Sequence, residues 1–317
     1  MKKITVSINP SYLCNLRCSF CYLTNDQLRD PRKIDLNVLE KKIQDLKTTY
    51  EISKFDVYGG EFGILPLSYQ KDLIVLLQGY SEDPINIITN LTRLSDVFFD
   101  TDIELSVSYD FSAREHHETV LKNISFLNRP ISVLMLASPE LVKLNTEEMI
   151  QTFNIFKNIV SVEIKPYSSN QANGLGIQFS SFEKFVQTWI SSKTKKNFSF
   201  ENENRIIRSL AKTYSAFSND HIYITPNGNY AVLEFDQLDR EFFLELNTLA
   251  DYAKWCDQEP QKLTSICQNC EYFGNCLTEH YRQVNSLENS CNGFKFLLDW
   301  YRNEKMETKS ANLSQIS

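Results

Sequence analysis

Three cysteines near the start of the chain, Cys14, Cys18 and Cys21, stand in the order Cys-x3-Cys-x2-Cys. Thiolates this close together can share one iron–sulfur cube, and a set of three leaves one iron without a protein ligand. An open coordination position separates a reactive metal centre from a closed structural one. Zinc would need a fourth ligand nearby, and for about ninety residues after Cys21 there is neither His nor Cys. A second group lies toward the other end: Cys267 and Cys270 form a Cys-x2-Cys, with Cys276 and Cys291 following. By spacing alone, those four thiolates suit zinc and a 4Fe–4S cube equally. Cys256, next to Trp255, is left over and reads as a small buried hydrophobe. No cysteine lies between Cys21 and Cys256. Such bunching in a chain of this length points to metal ligation in a reducing compartment, not to disulfides.

These thiols need a scaffold, and the chain between residue 4 and about 167 supplies an alternating one. Strand patterns over 3–9, 54–58, 85–89, 103–109, 131–137 and 160–166 are separated by helical patterns over 35–50, 68–80, 95–99, 115–127 and 146–158. About six βα units with right-handed crossovers give a parallel sheet or partial barrel. A complete eight-unit barrel would need about 250 residues. Cys14 to Cys21 then fall in the loop after the first strand, at the C-terminal mouth of the sheet, and Gly59-Gly60-Glu61 ends the second strand. The fourth strand alternates, with Ile103, Leu105, Val107 and Tyr109 on one side and Glu104, Ser106, Ser108 and Asp110 on the other. A strand buried on both faces would read as continuously apolar, so the polar side is expected to face a wet interior cavity. Glu163, Lys165 and Tyr167 share a side of the sixth strand in the same way.

Beyond residue 167 the pattern changes. Residues 168–176 read as a polar loop, followed by helices over 181–192 and 204–217. A β-hairpin over 221–225 and 230–235 turns at Pro226-Asn227-Gly228-Asn229. A helical patch over 246–255, the second cysteine group and a helix near 294–303 follow. The expected organisation is a core over 1–167, a helical connector over 168–220, a small C-terminal domain over 221–304 and a disordered polar tail over 305–317. His116-His117 is not a metal pair, because neighbours on a helix point in different directions.

The cysteine triplet, with the aromatic Phe20 just before its third member, resembles the signature of the radical S-adenosylmethionine (radical SAM) enzymes. That family's fold is a partial (β/α)6 barrel, and the likeness covers residues 4 to about 167. Gly59-Gly60-Glu61 resembles its Gly-Gly-Glu motif, which implies that Glu61 accepts from the methionyl amino group while the glycines allow close backbone approach. Phe62 stands where the family often has proline. Thr89-Asn90 resembles the Thr-Asn ending the third strand, with Leu91 in place of the usual glycine. The match of the fourth strand to the family's Ser-x-Asp implies cofactor contacts by Ser106 or Ser108. Cys267-x2-Cys270-x5-Cys276 after a Gly-containing hairpin resembles the auxiliary-cluster extension called SPASM, or its shorter relative Twitch. His280, and Val232 or Leu233, stand where a second auxiliary cluster would have cysteines, so the likeness implies one auxiliary cluster, closed if Cys291 is its fourth ligand and open to substrate if it is not.

The resemblance implies an enzyme that reductively cleaves S-adenosylmethionine at the first cluster and abstracts a hydrogen atom from a substrate. Most relatives of this kind act on ribosomally made peptides, through crosslinking, epimerisation or oxidation. Small-molecule dehydrogenation of the Twitch type is the alternative within the family, and a zinc-stapled protein without redox chemistry is the alternative outside it. With the first strand starting at residue 4, no N-terminal leader-binding domain is expected, so leader recognition would fall to the 168–220 helices or to a separate protein. An electron donor such as flavodoxin or ferredoxin is implied. Cys256 as a hydrogen-atom donor has a parallel among radical SAM epimerases, but nothing in the sequence places it at the barrel mouth. The net charge of −7 and pI near 5.3 argue against a nucleic-acid partner. No apolar stretch approaches a membrane span, and the strand-like start meeting Asn9-Pro10 is not a signal peptide, so a cytoplasmic location is expected.

Overall fold

The alternation of Ile4, Val6 and Ile8, all buried, makes Lys2–Ile8 a strand (β1) with one face sealed. The computed structural model describes residues 1–167, 177–216, 220–233, 243–258, 265–278, 286–288 and 291–306. Tyr50–Val57 (β2), Ile85–Thr89 (β3), Ile103–Ser108 (β4), Ile131–Ala137 (β5) and Ile159–Pro166 (β6) follow β1 in parallel, in sequence order across the sheet. Leu36–Lys47 (α1), Leu67–Gln78 (α2), His117–Phe126 (α3) and Thr146–Asn154 (α4) make the longer crossovers, and a short 3-10 turn, Asp96–Phe99, serves between β3 and β4. Asp35 caps α1 by accepting from the Asn37 and Val38 amides, and the helix buries Leu39, Ile43 and Leu46 against the sheet. This is the expected open, partial barrel of the radical SAM type, and the described strands do not close into a ring.

Two of the crossover helices stop three or four residues short of their sequence patterns, and the helix expected over 204–217 ends at Leu210. The pattern over 35–50 is helical only to Lys47, because Tyr50, Glu51 and Ile52 lie opposite Lys2, Lys3 and Ile4 and lengthen β2 at the helix's expense. The pattern over 146–158 ends at Asn154. Asn158 instead donates its amide to the Ile124 and Leu127 carbonyls, closing the end of the preceding helix, and Ile159 lies opposite Ile131. Tertiary pairing overrides local propensity in both cases.

After β6, Phe179–Ser191 (α5) and Glu201–Leu210 (α6) pack on the far side, with a two-residue strand, Ser199–Phe200 (β7), between them. The hairpin is present as His221–Ile224 (β8) and Tyr230–Leu233 (β9). It does not stand apart: β8 pairs in parallel with β1, from Thr5 opposite His221 to Ile8 opposite Ile224. A further strand, Phe243–Leu246 (β10), which the sequence pattern did not suggest, extends the sheet beyond β9. The sheet order is thus β10-β9-β8-β1-β2-β3-β4-β5-β6-β7. Leu249–Gln258 (α7), Ser265–Gln268 (α8) and Lys295–Tyr301 (α9) complete the described elements, a π-helical turn over Arg302–Met306 following α9. The loop expected over 168–176, His280 and the tail from 307 lie outside the described residues.

Candidate active site

A cavity of about 900 Å³ opens over the C-terminal ends of the parallel strands and runs down their inner face. Cys14, Cys18 and Cys21 line it together. The loop that carries them is held on both sides. Pairing between β1 and β2 continues past the strands: the Tyr58 amide donates to the Ile8 carbonyl (2.9 Å), Gly60 to Ser11 (2.9 Å) and Glu61 to Leu13 (2.8 Å). This contact requires both glycines. Gly59 has φ +133°, and a Cβ on Gly60 would lie 2.1 Å from the Leu13 carbonyl oxygen. Further on, the Cys14 amide donates to Leu28, and the Arg17 guanidinium bonds the Cys14 and Leu16 carbonyls at 2.7 Å. Buried Leu16, Phe20 and Leu23 anchor the turn.

Burial pushes the Cys14 thiol up to about 11 and raises Cys18 and Cys21, with Arg114 pulling the latter two back. Amides of Leu16 and Leu23 point at the Cys14 and Cys21 sulfurs (3.4 Å each). Asn90 Nδ2 reaches Cys14 Sγ at 3.8 Å and Asn15 at 3.1 Å. Among the described residues no three His, Cys, Asp or Glu side chains converge on a point where a single ion would sit. A lone zinc draws every thiolate to within about 2.3 Å of itself. A cube takes each thiolate on a different iron and needs them spread around its corners. Three thiols around one cavity, with backbone N–H groups directed at the Cys14 and Cys21 sulfurs, fit the second arrangement.

Glu61 is engaged by donors from the protein itself. The cavity is lined by Gly59 and Gly60 but not by Glu61, which is buried and turned inward. Its Oε1 accepts from the Gly63 amide (2.8 Å) and the Thr89 hydroxyl (2.6 Å), and its Oε2 from the Asn90 amide (2.6 Å). Desolvation raises its carboxyl pKa, opposed by these three bonds. The carboxylate clamps the end of β2 to the end of β3. Phe62, in place of proline, opens a 3-10 turn and packs buried against Phe98. Leu91, in place of glycine, sits at φ +52°. That left-handed position is what favours glycine there, and Leu91 occupies it with its side chain buried in the core.

Glu104, Ser106 and Ser108 line the cavity as the alternation implied, and so do Glu163, Lys165 and Tyr167. They join a polar belt across the strands: Asp56 accepts from Asn86, Asn86 accepts from Ser106, Lys54 pairs with Glu104, and Ser161 donates to Ser132. Lys165 and Arg205 both bridge to Glu163 (3.0 and 2.6 Å). Asp110 breaks the pattern. The strand ends at Ser108, and Asp110, with φ −126° and ψ 31°, turns its side chain into the protein, away from the lining. Sequence reasoning did not single out Arg114, which pairs with Asp110, or Tyr22, Tyr58 and Tyr223, which form an aromatic wall with Phe243 between the cysteine loop and the hairpin. His221, bonded to Ser7 at 2.7 Å, also lines the cavity. The only sequence signal for any of these is the acid–base spacing of four between Asp110 and Arg114.

At the other end of the chain, a Cβ on Gly293 would lie 2.9 Å from Cys276 Sγ and 3.8 Å from Cys291 Sγ, so this glycine lets the backbone pass between two thiols. Burial drives the Cys276 thiol up to about 12, and nearby Cys291, Cys270 and Cys267 add to the rise. The Leu277 amide donates to the Gly293 carbonyl and the Cys270 amide to the Cys267 carbonyl, closing the turns beside these thiols. Cys256 lies elsewhere: its neighbour Trp255 reaches the cavity, whereas Cys256 sits against Tyr252 and Tyr50 and is not part of the lining.

Comparison with known proteins adds three findings. The family model described as the Radical SAM superfamily matches residues 8–125, which contain the cysteine triplet and Gly59-Gly60-Glu61. No curated protein matches the chain. Among solved structures, native anSMEcpe with bound AdoMet and the Cp18Cys peptide superposes with a TM-score of 0.68 at 12% identity, covering 98% of this chain and 99% of that one. Streptococcus suis SuiB bound to S-adenosylmethionine gives 0.64 at 15% identity, over 87% of this chain and 72% of that one. SuiB bound to its precursor peptide SuiA gives 0.55 at 15% identity, over 72% and 59%.

Proposed function

We propose that this chain, which carries a radical SAM domain, holds a 4Fe–4S cluster on Cys14, Cys18 and Cys21 and acts on a peptide. One observation carries the reading: three thiols line one cavity together with Gly59 and Gly60, whose backbone braces the loop that carries those thiols. Reduced by one electron with S-adenosylmethionine bound, such a cluster supplies a 5′-deoxyadenosyl radical that takes a hydrogen atom from substrate. Gly59 and Gly60 present backbone to the cavity and, lacking side chains, let the cysteine loop pack against them, while Asn90, Ser106 and Ser108 line the same cavity with polar groups. Phe20, Tyr22, Tyr58 and Tyr223 line the same cavity with aromatic surface.

Peptide is preferred to a small alcohol on two counts. Both structural neighbours were captured with peptides. The cavity is also at the upper end of the roughly 300–1,000 Å³ range of small-molecule sites, with room for the nucleoside cofactor and an adjoining side chain. Cys267, Cys270, Cys276 and Cys291 hold one auxiliary iron–sulfur cluster in this reading, which exchanges an electron with the substrate radical. A flavodoxin or ferredoxin serves as electron donor. The chain divides functionally into the barrel core, the α5–α6 region and the C-terminal cluster region.

The test is anaerobic reconstitution with iron and sulfide, then incubation with dithionite and S-adenosylmethionine. The wild type is expected to be brown and to form 5′-deoxyadenosine, and the Cys14→Ala, Cys18→Ala, Cys21→Ala triple variant to form none. A colourless protein holding zinc, or equal nucleoside from the triple variant, would refute the assignment. Faster nucleoside release with a candidate precursor peptide than with polyols would identify the substrate class.

A further inference from the structure

A buried ion pair stands beside Cys18 and takes no part in the chemistry above. The Arg114 side chain is 13% exposed and that of Asp110 not at all. Arg114 Nε and Nη2 both donate to Asp110 Oδ2, at 2.7 and 2.6 Å. The other carboxylate oxygen of Asp110 accepts from the Leu136 amide at the end of β5 (2.5 Å). A carboxylate fixed at both oxygens leaves the guanidinium little freedom to swing. Its plane lies over the Phe20 ring, 5.1 Å from the centroid. The one remaining nitrogen, Nη1, is directed at Cys18 Sγ, 3.6 Å away.

If Arg114 served stability alone, its donors would go to oxygen acceptors. Instead one is aimed at a sulfur that the chemistry needs as a thiolate. The three cysteines differ in this respect: neutral backbone amides point at Cys14 and Cys21, and a cation at Cys18. We propose that Arg114 is a positioning residue for the first cluster, one that raises its reduction potential through the Nη1–H···Sγ contact to Cys18, with Asp110 fixing its aim. The physical basis is general. Hydrogen bonds to cluster sulfurs tune the potential, outer partners of metal ligands set ligand basicity, and a buried N–H⁺ stabilises the more negative, reduced state more than the oxidised one. Because Asp110 neutralises the charge at longer range, the effect is local to the sulfur. Arg114 thereby makes the cluster easier to reduce by a physiological donor.

This inference rests on the radical SAM reading, and the experiment separates the two. Full-length wild type, Arg114→Gln, Arg114→Met and Arg114→Lys are reconstituted anaerobically. Iron and sulfide are counted, and the reduced cluster is titrated against potential by electron paramagnetic resonance. The relevant signal is the one whose shape changes when S-adenosylmethionine is added. If the wild type shows no such signal, the radical SAM reading itself fails. With the signal present, the Gln and Met variants are expected to keep wild-type iron and to be about tenfold harder to reduce, about 59 mV for one electron. Arg114→Lys, which keeps the charge, is expected to recover part of that loss. Variants within twofold of wild type, about 18 mV, would overturn the proposal. So would loss of iron from all three variants, which would make Arg114 a scaffold residue.

Discussion

Replacing Glu61 by Gln is the sharpest test of how the motif after β2 works. Glu61 accepts three hydrogen bonds, two of them from backbone amides that cannot reverse, Gly63 on Oε1 and Asn90 on Oε2. Glutamine keeps one oxygen. Whichever way its amide is turned, an NH2 group faces either the Asn90 or the Gly63 N–H, and donor meets donor. Thr89 cannot relieve this, since its hydroxyl already donates to Oε1 and accepts from the Leu91 amide (2.9 Å). Losing one charge-assisted bond costs about 1.5–3 kcal/mol, and the stranded amide adds part of its own desolvation penalty. The expected loss is about 2–4 kcal/mol. Urea unfolding of the iron-free chain, followed by tryptophan fluorescence, reads this as a lower midpoint with an unchanged slope. Two signatures mark the clamp. Glu61→Gln should be no milder than Glu61→Ala, which leaves room for water, and S-adenosylmethionine affinity should fall only in proportion to cluster-site disorder. A Gln variant within ~0.5 kcal/mol of wild type, paired with a tenfold or greater loss of cofactor affinity, would show the carboxylate facing the ligand and refute the clamp.

Gly60→Ala drives a Cβ into the Leu13 carbonyl, so the cysteine loop must move, and iron bound at the first site is expected to fall by more than half on analysis of reconstituted protein. Replacing Cys267, Cys270 and Cys276 should remove about four irons per chain while leaving 5′-deoxyadenosine formation measurable; unchanged iron would place the cluster elsewhere. Burial raises the Glu183 carboxyl to about 7 where it faces the Leu297 amide. The folded chain therefore holds a proton that the unfolded chain has released above its ordinary value of 4.5, and stability falls as pH rises from about 4.5 to 7. Glu183→Gln should flatten that part of the urea-midpoint profile, and parallel profiles would show that Glu183 does not titrate there. Leu91→Gly relieves a left-handed backbone worth about 1–2 kcal/mol but empties a buried leucine site worth about 2–5. A net loss of up to a few kcal/mol in the same assay is expected, and a gain would mean the strain dominates.

The cysteine groups, the parallel alternation and the wet side of β4 were legible because each is local: a spacing, a period, a face. The Gly-Gly pair was legible as a motif, yet its reason is a backbone contact with residues 11–13 that only the sheet register reveals. Glu61 was read as a cofactor contact from its likeness to a Gly-Gly-Glu motif, and the clamp it makes within the protein was not legible there. Its three protein donors come from residues 2 to 29 positions away. Asp110 was placed on the wet face by extending a period of two beyond the strand's true end, and Arg114 came with it as an unread consequence. The β8–β1 pairing and the Tyr22–Phe243 contact of the aromatic wall join residues more than two hundred positions apart, beyond the reach of any window along the chain.

That distant pairing sets an order of events on the ribosome. Ser7 meets His221 across 214 positions of sequence. At about 5–20 residues per second, synthesis takes roughly 10–40 s to bring β8 within reach of β1. Through that interval β1, carrying Val6 and Ile8, is an uncovered strand edge on an otherwise assembling parallel sheet, the kind of surface that recruits other nascent chains. Lys2 and Lys3 at its start are the charges best placed to discourage such pairing. A chain truncated after α6 would keep that edge permanently. Its yield in soluble form, compared with the full chain at matched expression, measures how far the late-arriving hairpin acts as the cover of an early-made strand.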